Sequence, residues 1–199
     1  QRFCEMSRLA EGTREQQYGN TIIAASPPDW RAIGQTAVDL AEETRDLRIA
    51  VMLIESKTHV EGLSGLAEGL ELLRHWVCEL WETVHPMLDE ADGSDPFVRI
   101  NSLGRLCESA RLPSMIGRMP LVEAPPHVVV TLDDIRWSQG DMHLPAKTDR
   151  PTTMEVEAAF LSLPLGDLRQ RYESSMKAEA ALASTIEFLD ERAGKGIWD

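Results

Sequence analysis

The sequence is poor in positive charge and in long apolar runs. Its 199 residues carry 20 Lys and Arg against 33 Asp and Glu, a formal net charge of −13, and the cations form no cluster. Because a nucleic-acid groove requires a basic surface, this balance argues against nucleic acid as a partner. No apolar run approaches the roughly 18 residues of a membrane-spanning helix, so membrane insertion is not expected either.

Cysteine is also scarce. The three cysteines, Cys4, Cys78 and Cys107, are widely spaced and lie within apolar patterns. An odd, scattered set does not indicate a disulfide framework, so we expect reduced core residues in a cytosolic protein. The first residues lack the apolar segment of a signal peptide. The chain opens without Met, which predicts a fragment of a longer protein.

The short motifs of common enzyme and metal sites are missing as well. There is no phosphate-binding loop, no nucleophile elbow around Ser64, no CxxC and no HExxH. His59 with Glu61, and His85 with Asp89, are close His–carboxylate pairs, and neither supplies three ligands from one rigid element. The sequence therefore predicts a protein that is not an enzyme, with no catalytic residues, no metal site and no cofactor. A metal-binding enzyme is the remote alternative, because active sites can assemble from distant segments.

Helical periodicity is abundant, most clearly over residues 61–86. Apolar residues recur there at spacings of three and four and would share one helix face. That face comprises Leu63, Leu66, Leu70, Leu73, Val77, Leu80, Trp81 and Val84. The pattern predicts one helix of about six turns that begins near Gly62 and Ser64 and ends at Pro86. Since 43% of the chain is hydrophobic, we expect the other segments to pack around this helix.

The opposite face of this stretch is acidic. Residues 61–95 contain nine Asp and Glu and one Arg, which places −8 of the net charge of −13 there. Leu72 and Trp76 lie close to the acidic positions by the same helical count, and apolar residues beside charge are typical of interfaces. One hypothesis is a docking surface for a basic partner; the alternative is a solvated face whose apolar pair another helix covers. The hypothetical docking residues are Glu68, Glu71, Leu72, His75, Trp76 and Glu79.

Other segments before residue 110 also show helical spacing. The predicted helices cover residues 2–18, 29–44, 46–60 and 96–107. Asp29 and Asp46 suit the caps or first turns of two of them. The 46–60 helix is apolar nearly all round, so we expect it between the 29–44 helix and the 61–86 helix.

The periodicity changes near residue 119. Two short runs, 120–123 and 128–132, flank an Ala-Pro-Pro turn and predict one small hairpin. A lone two-stranded hairpin is marginally stable in water, so it should lie on the helices. A loop over residues 140–152 then divides the chain into an N-terminal helical domain, 1–140, and a helical extension, 141–199.

The extension is predicted to hold a short helix and a long one. Thr152 with Glu155 matches a capping box at the start of the short helix. Residues 165–193 show a heptad seam that includes Leu168, Tyr172, Leu182, Ile186 and Leu189. The seam indicates either an arm of an intramolecular helical hairpin or a self-association helix of a homo-oligomer. The predicted fold class is mainly α: an antiparallel helical bundle with one small β-hairpin and a long C-terminal helix.

Several ordered stretches resemble one known family. They are EQQYGNTIIAASPPDW at 15–30, RDLRIAVMLIES at 45–56, EGLSGLAEGLELL at 61–73, LWETVHPMLDE at 80–90 and FVRINSLGRL at 97–106. Their order and spacing are similar to the N-terminal region of the TssA family, also called the ImpA N-terminal domain, of bacterial type VI secretion. The later hairpin, EVEAAF and the long helix ending in LDERAG resemble the same family.

The resemblance implies a non-enzymatic, cytoplasmic component of the contractile secretion apparatus. Such proteins help to assemble the baseplate and to prime or cap the tail tube and sheath, so baseplate and tube or sheath proteins are the expected partners. Full-length members are oligomeric, usually through a C-terminal region that is not expected in this chain. The family supplies no catalytic residues.

Structural roles are expected for two tryptophans and a histidine. Trp30, at a position shared with the family, would anchor a helix start, and Trp81 would close the core. His85 precedes Pro86 and is expected at a helix end, where its imidazole can meet free carbonyls.

Three polar residues at shared positions are also expected to be structural. Arg48 and Arg99 would tie charged caps or loop carbonyls across helices, because a guanidinium offers five donors. Asn101 would satisfy a backbone turn.

Overall fold

The protein forms a helical bundle with two short antiparallel hairpins. A computed structural model describes residues 2–12, 16–18, 21–24, 26–124, 128–141 and 150–194. The α-helices of these ranges are α1 (Arg2–Leu9), α2 (Trp30–Glu43), α3 (Leu47–Glu61), α4 (Leu63–Arg74), α5 (Phe97–Cys107), α6 (Leu112–Arg118), α7 (Leu132–Ser138), α8 (Thr153–Ser162) and α9 (Leu165–Ala193). The strands are β1 (Gln16–Tyr18), β2 (Thr21–Ile23), β3 (Pro120–Ala124) and β4 (Val128–Thr131). The predicted fold class, mainly α with a long C-terminal helix, is confirmed.

Helix α3 is central, as its apolar composition predicts. It packs between α2 and α4, and it contributes to two apolar clusters. On one side Ile49 and Met52 pack with α1 and α2; on the other Val51 and Ile54 pack with α4. The start of α3 is fixed by Asp46, whose carboxylate accepts from the Arg48 backbone N–H at 2.9 Å.

Helices α3 and α4 approach closely because glycines face α3. A Cβ added at Gly65 would collide with the backbone oxygen of Lys57, and one at Gly69 would lie 2.9 Å from Ile54 Cγ1. Only a residue without a Cβ fits these two places. The spacing of four puts both glycines on the same side of α4.

The predicted six-turn helix is wrong beyond Arg74. The α-helix ends there and continues as a π-turn over His75–Glu79, followed by a 3₁₀ turn over Trp81–Thr83. Trp76 and Trp81, five residues apart, are both buried. The π-turn changes the angular spacing of the residues that follow Arg74, so the positions of the two indoles do not follow the regular α-helical repeat.

The N-terminal helix is shorter than predicted, and one hairpin is added. Helix α1 ends at Leu9 instead of near residue 18, because Gly12 takes a left-handed φ of +64° and turns the chain. Strands β1 and β2 then pair antiparallel, with Gln16 opposite Ile23. The prediction of a single hairpin is corrected to two within the described residues.

The predicted hairpin near residue 120 is present and lies on helices. Strands β3 and β4 pair antiparallel, and Val122 and Val130 are fully buried against Val156 and Ala159 of α8. The Ala-Pro-Pro turn falls partly on residues 125–127, outside the described residues. This small third apolar cluster explains how a two-stranded sheet can persist in water.

The C-terminal helix α9 packs along α4 and the π-turn. Its short predecessor α8 begins with the predicted capping box, in which Thr152 and Glu155 bond reciprocally. Most of the 140–152 loop, residues 142–149, lies outside the described residues, so the division into 1–140 and 141–199 stays a prediction. Two predicted core cysteines, Cys4 and Cys107, are exposed, whereas Cys78 is half-buried.

Candidate docking surface

Four glutamates of α4 and of the turns after it form one exposed stripe together with a histidine. We call this set the acidic stripe; its members are Glu68, Glu71, His75, Glu79 and Glu82, all exposed. The stripe is outside the core because the leucines at the intervening positions face α3 and α9. The predicted separation of acidic and apolar faces therefore holds in the structure.

Two cations partly neutralise the acidic stripe. Lys57 Nζ lies 2.7 Å from a Glu68 oxygen, and Arg74 Nη2 lies 2.7 Å and 3.0 Å from oxygens of Glu71 and Glu79. Hydrogen bonds from Arg74 hold the pKa values of Glu71 and Glu79 below their usual value of 4.5, so both carboxylates stay charged in neutral solution. His75 Nδ1 lies 3.0 Å from Glu79.

Leu72 and Trp76, the two apolar residues of the hypothetical docking surface, do not lie exposed beside the acidic stripe. Trp76 is 5% exposed and belongs to the main core, and Leu72 is half-buried between the two clusters. The π-turn changes the angular spacing after Arg74, so a straight-helix count does not place Trp76 correctly. This outcome matches the alternative in which other helices cover the apolar pair.

Trp30 and Trp81 both contact other elements. Trp30 is the first residue of α2, and its carbonyl accepts from Ser56 Oγ at 2.6 Å. Its ring lies 5.4 Å from that of His59. Trp81 is buried, with its ring 5.4 Å from the Phe188 ring of α9.

Arg48 binds a charged cap, whereas Asn101 differs from the sequence expectation. Arg48 binds Asp46, the cap of its own helix, through two side-chain hydrogen bonds and lies 5.0 Å over the ring of Phe3. It therefore joins α3 to α1 through an aromatic contact. Asn101 is exposed in the middle of α5, so the expectation of a turn-satisfying role is wrong.

His85 joins segments through its backbone. Its N–H donates to the Arg45 carbonyl at 2.8 Å, and its carbonyl accepts from Leu47 N–H at 2.9 Å. These bonds tie the chain after α4 to the start of α3. The imidazole itself is exposed and no bond from it to a helix carbonyl is found among the described residues, which corrects the expected contact.

The predicted seam on α9 is rotated from the face that packs inward. The buried positions are Ala178, Ala181, Thr185 and Leu189. Tyr172 and Leu182 are 63% and 44% exposed, and Leu168 and Ile186 are half-buried. Packing along α4 makes α9 an arm of an intramolecular helical pair. Leu189 is therefore not available for self-association in this fold.

An ion-pair network that the sequence did not indicate lies beside α3. Arg105 binds the buried carboxylate of Glu55 at 3.0 Å and also Glu11 at 3.1 Å, and Arg111 binds Glu11 at 2.8 Å. These partners are 50 to 100 positions apart in the chain, so no local spacing could have revealed them. The network borders a cleft of about 660 Å³ between α2, α3 and α6.

The described residues contain no candidate for a metal-binding cluster or for a membrane-spanning helix. Over these ranges, no three His, Cys, Asp or Glu side chains stand close enough to hold a metal ion. Nor does any helix in the described part of the chain have both the length and the apolar character needed to cross a membrane.

The fold is a mainly α-helical domain that presents the acidic stripe on its surface. A family model described as ImpA, N-terminal, type VI secretion system matches residues 1–108. The chain therefore belongs to the ImpA N-terminal family of the type VI secretion system, as the resemblance predicted.

Two known proteins are similar to this chain. Over 122 residues it is 38% identical to the type VI secretion system component TssA1 of Pseudomonas aeruginosa PAO1; that stretch is 61% of this chain and 35% of the relative, so the chain spans about a third of its length. A solved N-terminal domain, including the conserved ImpA_N region, of the TssA component from Burkholderia cenocepacia matches with a TM-score of 0.67. The match covers 97% of this chain and 74% of that one at 24% identity, and it shows the fold.

Proposed function

We propose that the chain is a non-enzymatic, cytoplasmic assembly component of the type VI secretion apparatus. In this proposal the acidic stripe docks to a basic surface of a baseplate protein or of a tail tube or sheath protein. Membership of the ImpA N-terminal family carries the proposal, because it places the chain in a TssA-type component of that system.

The exposure of the acidic stripe supports it as the docking surface. Glu68, Glu71 and Glu79 are all exposed, and each pairs with a cation that is itself at the surface or half-buried. Exposed ion pairs contribute only about 0–1 kcal/mol to stability. The stripe is thus not needed for folding, and its carboxylates are free to exchange Lys57 or Arg74 for cations of a partner.

A charge-reversal experiment tests this surface. The double variant Glu68→Lys, Glu79→Lys and a matched variant, Glu157→Lys, Glu173→Lys, change the net charge equally, the second pair on exposed positions of α8 and α9. Each is mixed with separately purified baseplate, tube and sheath proteins at moderate salt, and bound protein is measured.

The expected result is loss of binding to one of these proteins in the stripe variant only. Normal folding of both variants is checked by circular dichroism. Equal loss in both variants would mean that the overall charge, and not the stripe, attracts the partner. Unchanged binding of the stripe variant to every protein would refute the proposed surface.

A self-association role along α9 is the second candidate. The observation that favours it is the exposure of Tyr172 and Leu182, two of the predicted seam residues. Light scattering on the chain, with Tyr172→Ser, Leu182→Ser as the variant, tests it. A dimer that the variant converts to a monomer would support self-association, and a wild-type monomer would exclude it at the concentrations measured.

A further inference from the structure

A groove of about 410 Å³ remains open where the main apolar cluster of the bundle meets the small cluster of the β3–β4 hairpin and α8. Leu66 and Ile116 line it from the side of the main bundle, and Leu121 and Phe160 line it from the side of the β3–β4 hairpin. The N-terminal half of α9 passes along it and contributes Leu168 and Tyr172. The walls are almost entirely apolar, yet no described segment of the chain fills them.

Exposed apolar side chains also flank the groove residues along α8 and α9. Tyr172, which lines the groove, is 63% exposed, and Leu165, about two turns earlier on α9, is 72% exposed. Leu161, which follows the groove residue Phe160 on α8, is 86% exposed. Large apolar side chains that are exposed together around a concavity mark an interaction surface.

Arg171 is a charged residue in the largely apolar lining of the groove. Its Nε is buried without a hydrogen-bond acceptor among the described residues. Asp167 and Glu123 line an adjoining cleft with Arg171, but no ion pair joins either of them to it. Arg74 and Arg105, by contrast, each bind two carboxylates of this chain. A guanidinium with unused donors beside an apolar groove can bind the carboxylate of a peptide segment whose neighbouring side chains are apolar.

We propose that this groove binds a segment of a protein partner that presents apolar side chains beside an Asp or Glu. The apolar side chains occupy the space between α6, β3 and α8, and the carboxylate accepts from Arg171. The inference goes beyond the proposed function, because it concerns a different surface with the opposite charge preference. A partner of the acidic stripe is basic, whereas the segment in the groove is acidic.

The net charge of −13 works against the expected result. The whole chain repels an acidic peptide and attracts a basic one, so tighter binding of an acidic peptide has to come from a local contact. Two fluorescein-labelled synthetic helical peptides serve as probes: one has leucines at helical spacing with glutamates between them, and the other has lysines in place of the glutamates. Their affinities for the chain are measured by fluorescence anisotropy. We expect the glutamate peptide to bind about tenfold more tightly, because of the charge-assisted bond to Arg171.

Two variants and two matched controls assign the binding to the groove. Arg171→Gln should remove the preference for glutamate, and Arg169→Gln, the same charge change at an exposed position of α9, should keep it. Tyr172→Ser should weaken both peptides, and Leu182→Ser, at an exposed position that does not line the groove, should weaken neither. Circular dichroism confirms that each variant is folded.

Several results would overturn the proposal. They are tighter binding of the lysine peptide that Tyr172→Ser weakens, so that it belongs to the groove and not to the acidic stripe, no binding of the glutamate peptide, and equal effects of the two arginine variants. Light scattering supplies a further one: a dimer of the wild-type chain that Tyr172→Ser dissociates would show that a second copy occupies the groove. The result of this groove experiment does not change the interpretation of the acidic-stripe experiment, because the two experiments alter different residues.

Discussion

The guanidinium of Arg99 both bonds to the backbone of Trp81 and lies over its ring. Nη1 donates to the Trp81 carbonyl at 2.6 Å, and Cζ lies 4.4 Å from the ring centroid. Nη2 and Nε donate to the carbonyls of Val84 and Pro86. Arg99 is 1% exposed, and this burial lowers the pKa of its guanidinium. One side chain thus satisfies carbonyls that have no helical partner after the π-turn.

Replacement of Arg99 should therefore destabilise the whole bundle. We expect Arg99→Ala to lower the free energy of unfolding by about 3 kcal/mol or more, because three buried carbonyls lose a charged donor. Arg99→Lys should recover only part of this, since one ammonium cannot match three fixed acceptors. Urea unfolding measures both. Arg8→Ala, at an exposed position of α1, is the control and should change stability by less than about 0.5 kcal/mol.

Glycine-to-alanine changes should have opposite signs at two helical positions. At Gly65 a Cβ would collide with the Lys57 backbone, and we expect a loss of about 1–3 kcal/mol despite better helix propensity. At Gly104 of α5 a Cβ would meet nothing, and a gain of up to about 1 kcal/mol is expected. Thermal unfolding distinguishes the two. A stabilised Gly65→Ala variant would mean that α3 and α4 are not in this close contact.

The buried Glu55 should depend on Arg105. Glu55 is 1% exposed and its carboxylate receives three hydrogen bonds from Arg105. Arg105→Met should cost about 3–5 kcal/mol, because it leaves a buried charge unpaired. The double variant Glu55→Met, Arg105→Met should lose less than the sum of the single changes, as a double-mutant cycle would reveal. Strict additivity would contradict the contact.

Acid should weaken the ion pair that joins Glu11, in the turn after α1, to Arg111, just before α6. The hydrogen bond from Arg111 lowers the pKa of Glu11 from its usual 4.5, and Arg105 acts in the same direction. A carboxylate with a depressed folded-state pKa stabilises the fold above its unfolded pKa, and the contribution is lost as the pH falls through the folded value.

Glu11→Gln should consequently flatten the fall in stability below about pH 4.5. Urea midpoints measured at a series of pH values test this. Glu157→Gln, at an exposed position on α8, is the control and should leave the profile of the native chain unchanged. A Glu11→Gln profile as steep as that of the native chain would show that this carboxylate does not contribute.

Local chemistry predicted the elements that short-range rules control. Asp29, Asp46 and Thr152 each cap a helix where the sequence placed a helix start. The β3–β4 hairpin and the central position of α3 also follow from pattern alone. Capping, alternation and all-round apolarity are properties of neighbouring residues, so a sequence displays them directly.

Features that depend on distant partners were missed. The six-turn helix gives way to a π-turn at His75, and Trp76 turns into the core instead of out to the acidic stripe. The seam of α9 was assigned to large residues such as Tyr172, whereas Ala178 and Ala181 face α4. A close helix contact requires small side chains, and hydrophobicity alone does not report how closely two helices approach.

The sequence by itself determined the helical class, the acidic face and the family, because periodicity, charge and ordered motifs are written along the chain. The tertiary structure decided which candidates are available at the surface. It buried Trp76 and Leu189, joined Glu11 to Arg111 across 100 positions, and left Arg171 without an ion pair among the described residues, beside an apolar groove. Burial and ion pairing depend on contacts between residues that are far apart in the sequence, and a local sequence pattern does not specify such contacts.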